Sequence, residues 1–320
     1  MKIVFFGTPE FAVPSLDRLV ADGHEIAAVV TMPDKIAGRG HKLIQSDVKK
    51  YAVEHGLKVM QPEKLKNPEF LAELQSLQAD LFVVIAFRML PEAVWAMPPK
   101  GTFNLHAALL PKYRGAAPIN RAIMNGETET GVTTFFLNHD IDTGSIIDRQ
   151  RIDILPEDNV GTVYDRLMTL GADMVSKTVR DIENGCVKAI PQPEGEFIPA
   201  PKIFKEDMAI HWDRPAVQIH NQVRGLSPYP AAYSALELLN HAPMDVKIYT
   251  TALSDEPCTD TLPCTGLAPG DVRIEKKHLF VATSDRWLEI VELQPAGKKR
   301  MAASAFLLGY TPLRFKAPAL

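Results

Sequence analysis

The sequence predicts an α/β protein: a doubly wound, mostly parallel sheet followed by a small C-terminal β-barrel. Three observations predict it. Short apolar runs alternate with amphipathic helical patterns as far as Gly185. Four prolines (Pro191, Pro193, Pro199, Pro201) then break the pattern. Beyond them, short strand-like runs are separated by Pro and Gly turns. A length of 320 residues exceeds one ordinary domain and suits two. The expected division is a first domain over 1–189, a linker over 190–205 and a second domain over 206–320.

Each element follows from its local pattern. Ile3–Phe6 is a continuous apolar run, a buried strand. Glu10–Asp22 carries Phe11, Leu16, Leu19 and Val20 at helical spacing. Ile26–Val30 is a second strand, and Asp47–His55 a helix stopped by Gly56. Pro68–Leu77 is a helix, Leu81–Ala86 a third buried strand and Pro91–Met97 a short helix. Phe103–His106, Val132–Leu137 and Ser145–Ile152 complete the strands of the first part. Val160, Val163, Leu167, Leu170, Val175, Val179 and Ile182 line one face of a long helix. The second part reads as helix Pro215–Arg224 and strands Ala232–Leu236, Val246–Ala252, Leu279–Ala282 and Leu288–Leu293.

Composition excludes whole classes. Apolar residues at 46% and charged residues at 23% mark a globular chain with a sizeable core. A net charge of -4 excludes a protein that coats nucleic acid through bulk charge, yet allows a local basic patch. Residues 201–320 are the less acidic part, with 14 basic and 13 acidic side chains. Cys186, Cys258 and Cys264 show no C-x-x-C spacing and read as reduced thiols. No apolar run reaches the roughly 18 residues of a membrane helix, and Met1–Gly7 stops short of a signal peptide's apolar region. A cytoplasmic protein with no membrane partner is expected.

Four segments carry polar chemistry. Gly7-Thr8-Pro9-Glu10-Phe11-Ala12 follows the first strand with one glycine where a dinucleotide fingerprint needs three. No phosphate loop, nucleophile elbow or zinc helix occurs. Asn104 and His106 alternate with Phe103 and Leu105, which puts the amide and the imidazole on one face near a strand's carboxyl end. Asn138–Gly144 is a polar loop with two carboxylates, Asp140 and Asp142, either of which could partner His106. Leu109–Pro118 sets Lys112 and Arg114 around Tyr113, then enters a helix through small residues. Pro33–Leu43 is a basic connection carrying Lys35, Arg39, His41 and Lys42, suited to phosphate contact.

Together these segments resemble the methionyl-tRNA formyltransferase family over almost the whole chain. The resemblance is carried by Phe6–Ala12, Ala37–Gly40, Asn104-Leu105-His106, Leu109–Pro118, Asp142-Thr143-Gly144 and Leu293–Met301. It implies a Rossmann-like formyltransferase domain, an oligonucleotide-binding-like barrel and formyl transfer from 10-formyltetrahydrofolate to the methionine of charged initiator tRNA. It implies Asn104, His106 and Asp142 as the catalytic three, in a reaction that requires no metal. Phe87, Arg88, Met89, Leu90 and Val94 match the segment lining the pterin pocket, and Ala108, Leu109, Leu110 and Pro111 the folate-binding turn. Ala108 stands where the family commonly carries Ser, and Ala86–Pro91 is shorter than the commoner form. Lys35, Arg39, His41, Lys42, Lys112, Arg114, Lys298, Lys299 and Arg300 are the expected nucleic-acid contacts. A monomer is expected. Other folate-dependent formyltransferases share the middle motifs; the basic loop and the Lys298–Arg300 cluster favour the tRNA enzyme.

Overall fold

The structure, a computed structural model, describes residues 1–37, 42–193, 195, 197–257 and 267–318. It separates into two compact units. The first is Met1–Pro118, Glu129–Ile152 and Tyr164–Ala200; the second is Ile119–Thr128, Asp153–Val163 and Pro201–Leu320.

In the first unit the apolar runs become strands because both faces of the sheet are covered. These are β1 (Lys2–Gly7), β2 (Glu25–Val30), β3 (Lys35–Ala37), β4 (Lys42–Ile44), β5 (Val59–Met60), β6 (Leu81–Ile85), β7 (Thr102–His106), β8 (Arg114–Gly115), β9 (Glu129–Phe136), β10 (Ile146–Asp153) and β11 (Pro199–Ala200). The main sheet has the order β10-β9-β7-β6-β1-β2-β5. From β5 to β7 it is parallel, and β9 joins β7 antiparallel, with His106 opposite Thr133. Its centre is fully buried: Ile3, Val4, Phe5 and Phe6 in β1 and Leu81, Val83 and Ile85 in β6.

The helices begin where the sequence offers caps. A short 3-10 turn at Glu10–Ala12 leads into α1 (Val13–Ala21), so the helix expected from Glu10 starts later, after Pro9 and beside Pro14. Ser46 caps α2 (Asp47–Glu54) by accepting from Lys49 N at 3.1 Å, and Asn67 caps α3 (Pro68–Ser76). Then follow α4 (Glu92–Trp95), α5 (Pro118–Met124) and α6 (Val160–Glu183). The basic connection after β2 is not plain loop: Lys35–Ala37 pairs antiparallel with Lys42–Ile44. Two three-residue strands that mix Lys with apolar residues show too little alternation for the sequence to announce them.

The chain order places the site. β2 lies on one side of β1 and β6 on the other, so connections leave the sheet in opposite directions there. Ligands in open α/β sheets lie beyond the strand carboxyl ends at such a switch. Gly7, Ala86 and His106 stand at those ends.

The second unit is antiparallel. Besides α5 from Ile119 on and the first turn of α6, its elements are α7 (Lys205–Met208), α8 (Ala216–Leu226), β12 (Ala232–Leu238), β13 (His241–Pro257), β14 (Val272–Glu275), β15 (His278–Ala282), β16 (Arg286–Pro295), β17 (Met301–Ala302), α9 (Ala303–Phe306) and β18 (Pro312–Lys316). The sheet order is β14-β15-β16-β13-β12-β18, with β17 on β16. Phe315 N donates to Gly270 O at 2.8 Å and Asp271 bridges Arg314, which brings the last strand to the first and nearly closes a barrel. Its core gathers Ile219 and Val223 of α8, Leu236, Ile248, Leu279, Leu288, Phe306 and Phe315. Each such fully buried side chain contributes roughly 1.5–3 kcal/mol.

Candidate active site

Three backbone positions in the left-handed region mark the site. Ala86 (φ 47°), Tyr113 (φ 61°) and Asp142 (φ 55°) are non-glycine residues at positive φ, which persists where surrounding contacts over-determine it. They follow β6, precede β8 and follow β9.

The chemistry centres on β7. Its alternation buries Phe103 and Leu105 on one face and turns Asn104 and His106 to the other. His106 is 7% exposed, and its Nε2 lies 2.8 Å from the Tyr113 carbonyl. A carbonyl only accepts, so Nε2 carries a proton and donates it there. That leaves Nδ1 as the nitrogen free for proton exchange. Nδ1 faces Asp142 Oδ2 at 3.8 Å. The same Oδ2 accepts from Gly115 N at 2.9 Å. Asp140, the other candidate carboxylate, is exposed and its backbone N bonds Asn138 instead. Asn104 is half-buried, and among the described residues its amide has no hydrogen-bond partner.

Two glycines make this close packing possible. A Cβ on Gly144 would lie 1.6 Å from Phe136 O, so the turn after Asp142 fits against β9 only without a side chain. A Cβ on Gly115 would lie 2.5 Å from Ala200 O, and Gly115 is itself at φ 126°.

The expected folate residues divide by burial. Leu90, Val94, Ala108 and Leu110 are buried, while Phe87, Arg88, Leu109 and Pro111 are partly exposed and Met89 is 64% exposed. Phe87 meets Phe6 edge-on with ring centroids 5.7 Å apart. Arg88 donates to Glu63 O at 2.8 Å and to Pro62 O, and burial pushes its guanidinium below the ordinary arginine value. Its Nε is buried with no partner among the described residues. The turn 108–111 is held from inside: Thr133 Oγ1 donates to Ala108 O at 2.7 Å and accepts from Leu110 N at 3.2 Å. Arg149 adds a bond to Leu110 O at 3.0 Å.

The expected nucleic-acid contacts are dispersed. Lys35 is exposed on β3, Lys42 begins β4, and Arg39 and His41 lie outside the described residues. Lys112 is exposed; Arg114 bonds Gln192 and lies over Phe197 at 5.4 Å. In the second unit Lys298 and Lys299 are exposed, whereas Arg300 pairs with Glu292 at 2.5 Å and lies over Tyr249 at 4.4 Å. Cys186 is an exposed free thiol; Cys258 and Cys264 lie outside the described residues. No group of three His, Cys, Asp or Glu among the described residues is placed to hold a metal.

The family described as "Formyl transferase" matches residues 1–179, and that described as "Formyl transferase, C-terminal domain" matches 202–311. The chain belongs to the formyl transferase family. A methionyl-tRNA formyltransferase of Bacteroides fragilis is 50% identical over 315 residues, 97% of this chain and 95% of its own. One from Phocaeicola vulgatus is 52% identical over 317 residues, 97% of this chain and 96% of its own. Among solved structures, the N-formyltransferase of Helicobacter canadensis, crystallised with folinic acid and dTDP-3-aminofucose, superposes with a TM-score of 0.64 at 20% identity. That match covers 92% of this chain and 99% of the other, and at this identity speaks for the fold alone.

Sequence reasoning did not find Tyr113 and Gly115 as holders of His106 and Asp142, because main-chain groups leave no side-chain signature. It also passed over Thr133, Arg149 and Gln192. Gln192 sits in the proline-rich stretch that reads as linker. Ile190 instead bridges Ile146, and Pro199–Ala200 pairs with Arg114–Gly115.

Proposed function

We propose that this chain transfers the formyl group of 10-formyltetrahydrofolate to the amino group of methionine on initiator tRNA. The observation that carries the reading is the pair His106 and Asp142, held by Tyr113 O and Gly115 N beside the Asn104 amide. Relatives at 50% and 52% identity over nearly the whole chain bear the name of this reaction and support it.

The chain's residues fit a folate. Phe87 packed on Phe6, over Leu90 and Val94, offers an apolar wall for a flat heterocycle. The unpartnered Arg88 Nε is a buried donor that an acceptor-bearing ring would satisfy. Ala108–Pro111, braced by Thr133, presents backbone rather than side chain, so Ala in place of Ser at 108 leaves that contact intact. The bound folate supplies the formyl group. Asn104 donates to the formyl oxygen as negative charge develops there, a contribution worth about 100- to 1,000-fold in rate. His106 Nδ1 takes the proton that the attacking amine loses as the new C–N bond forms, and returns it to the departing folate nitrogen. Asp142 stabilises the imidazolium in between, and Tyr113 O keeps Nδ1 facing the reaction.

Basic residues position the tRNA. Lys35, Arg39, His41, Lys42 and Lys112 belong to the formyl-transfer domain, and Lys298, Lys299 and Arg300 to the barrel. Their contacts go to phosphates, which set register without reading bases. We take the two domains as 1–189 and 206–320, joined by 190–205 whose part up to Ala200 packs with the first unit, and the molecule as a cytoplasmic monomer. No helix among the described residues is long and apolar enough to cross a membrane. The test is kcat/KM with charged initiator tRNA, measured beside folate affinity, for Arg39→Ala. Weaker tRNA use with unchanged folate affinity supports the role of the basic segment; equal loss of folate affinity removes it.

A further inference from the structure

Gln192 lies between the two family matches, which end at residue 179 and resume at 202. Its side-chain amide is fully committed. Nε2 donates to Asp142 O at 2.8 Å and to Gly144 O at 2.9 Å. Oε1 accepts from Arg114 Nε at 3.2 Å and from an Arg114 terminal nitrogen at 2.7 Å. Both donors and the acceptor are therefore satisfied in one orientation only. A flipped amide would put its oxygen against two carbonyls and its NH2 against a guanidinium. Arg114 is in turn held over the Phe197 ring at 5.4 Å.

These contacts close a ring around the catalytic carboxylate. The two carbonyls bound by Gln192 are the first and last of the Asp142-Thr143-Gly144 turn, whose first residue has φ 55°. The carboxylate itself is bound by Gly115 N, the residue next to Arg114. One short strand thus references Asp142 twice, through its side chain by Gly115 and through its backbone by Arg114 and Gln192. Tyr113, just before that strand, holds His106.

We propose that Gln192 is a positioning residue that sets the Asp142 carboxylate against His106, and that Arg114 serves catalysis by orienting Gln192 rather than by binding phosphate. The inference rests on the formyl-transfer reading of this same site. With its amide committed, Gln192 has no polar group left for a substrate and acts through Asp142.

The test is a double-mutant cycle in the full chain. Gln192→Ala and the near-isosteric Gln192→Met should each lower kcat about 10- to 100-fold, the scale of an ångström-level misplacement. KM for folate and for tRNA should stay within about threefold. In an Asp142→Asn background, Gln192→Ala should cost less than about threefold more, since both changes act on one group. Arg114→Lys keeps the charge, loses the planar fork and should follow Gln192→Ala in kcat. Near-normal kcat in Gln192→Met, a loss confined to KM, or full additivity with Asp142→Asn overturns the proposal. A loss in Arg114→Lys confined to tRNA KM returns Arg114 to phosphate binding. A second readout needs no turnover: the 15N shifts of the His106 ring should change in Gln192→Ala as they do in Asp142→Asn. If the parent forms no formylmethionyl-tRNA, the functional reading fails by itself, and unchanged His106 shifts in Gln192→Ala would separately overturn the positioning role.

Discussion

At the scale of single residues, the site depends on which atoms are already committed. His106 gives Nε2–H to Tyr113 O and keeps Nδ1 for chemistry; Asp142 shares Oδ2 between Gly115 N and His106. His106→Ala and Asp142→Asn should each lower kcat by two or more orders of magnitude with the fold retained. Asn104→Ala removes one neutral donor and should cost about 100-fold, the smallest loss of the three. Asp140→Asn should keep a near-normal rate, because Asp140 is exposed and its backbone bonds to Asn138 and Thr143 of its own loop. Steady-state kinetics beside circular dichroism checks all four; an inert Asp140→Asn with an active Asp142→Asn would reverse the assignment. Asn104 and His106 were legible in the sequence because polar residues at period two inside a buried strand need a reason to be there. The choice of Asp142 over Asp140 came from the family resemblance, because spacing alone cannot say which carboxylate a turn points inward.

At the scale of elements, two short segments carry predictions. The turn 108–111 hangs on Thr133 of β9, which donates to Ala108 O and accepts from Leu110 N. Thr133→Val keeps the shape, leaves both backbone groups unpaired and should raise folate KM several-fold while sparing tRNA KM. Equal changes in both constants would deny the turn its role. The ribbon of β3 and β4 is anchored at its base by Asp34, which meets Lys49 at 2.6 Å and Gln61 at 2.8 Å. Those bonds, to Lys49 first, hold the Asp34 carboxyl below its ordinary value. A depressed carboxylate stabilises the fold above the ordinary carboxylate range and loses that effect as pH falls through the lower folded-state value. The Tm difference between parent and Asp34→Asn should therefore close on acidification; a difference independent of pH would remove the anchor. Long buried strands and helix α6 were legible, since their apolar periods are unmistakable. The ribbon, β11 and β18 were not: each strand is two to five residues long, and β11 and β18 become strands only through partners distant in sequence.

At the scale of the whole molecule, the change of pattern after residue 190 lies close to the Ala200/Pro201 boundary between the two units, whereas the membership of Ile119–Thr128 and Asp153–Val163 in the second unit left no mark in the sequence pattern. The contacts of the proline-rich segment were not legible either: prolines suggest a spacer, while Ile190, Gln192 and Pro199–Ala200 bond within the first unit. The barrel's exposed Lys298 and Lys299 should bind phosphate. Substituting both with Ala should raise tRNA KM, flatten the dependence of log KM on log salt by about two charges and leave folate KM alone. An unchanged salt slope would place the tRNA elsewhere.

The central claim is that His106 and Asp142, with Asn104, pass a formyl group to an amine on tRNA. The most direct measurement incubates the protein with 10-formyltetrahydrofolate and methionine-charged initiator tRNA, and follows formylmethionine after the ester is cleaved. The account predicts formylmethionine from the parent protein, a rate at least 100-fold lower from His106→Ala, and no product when the methionine amine is blocked beforehand. No product from the parent, or undiminished product from His106→Ala, would contradict it.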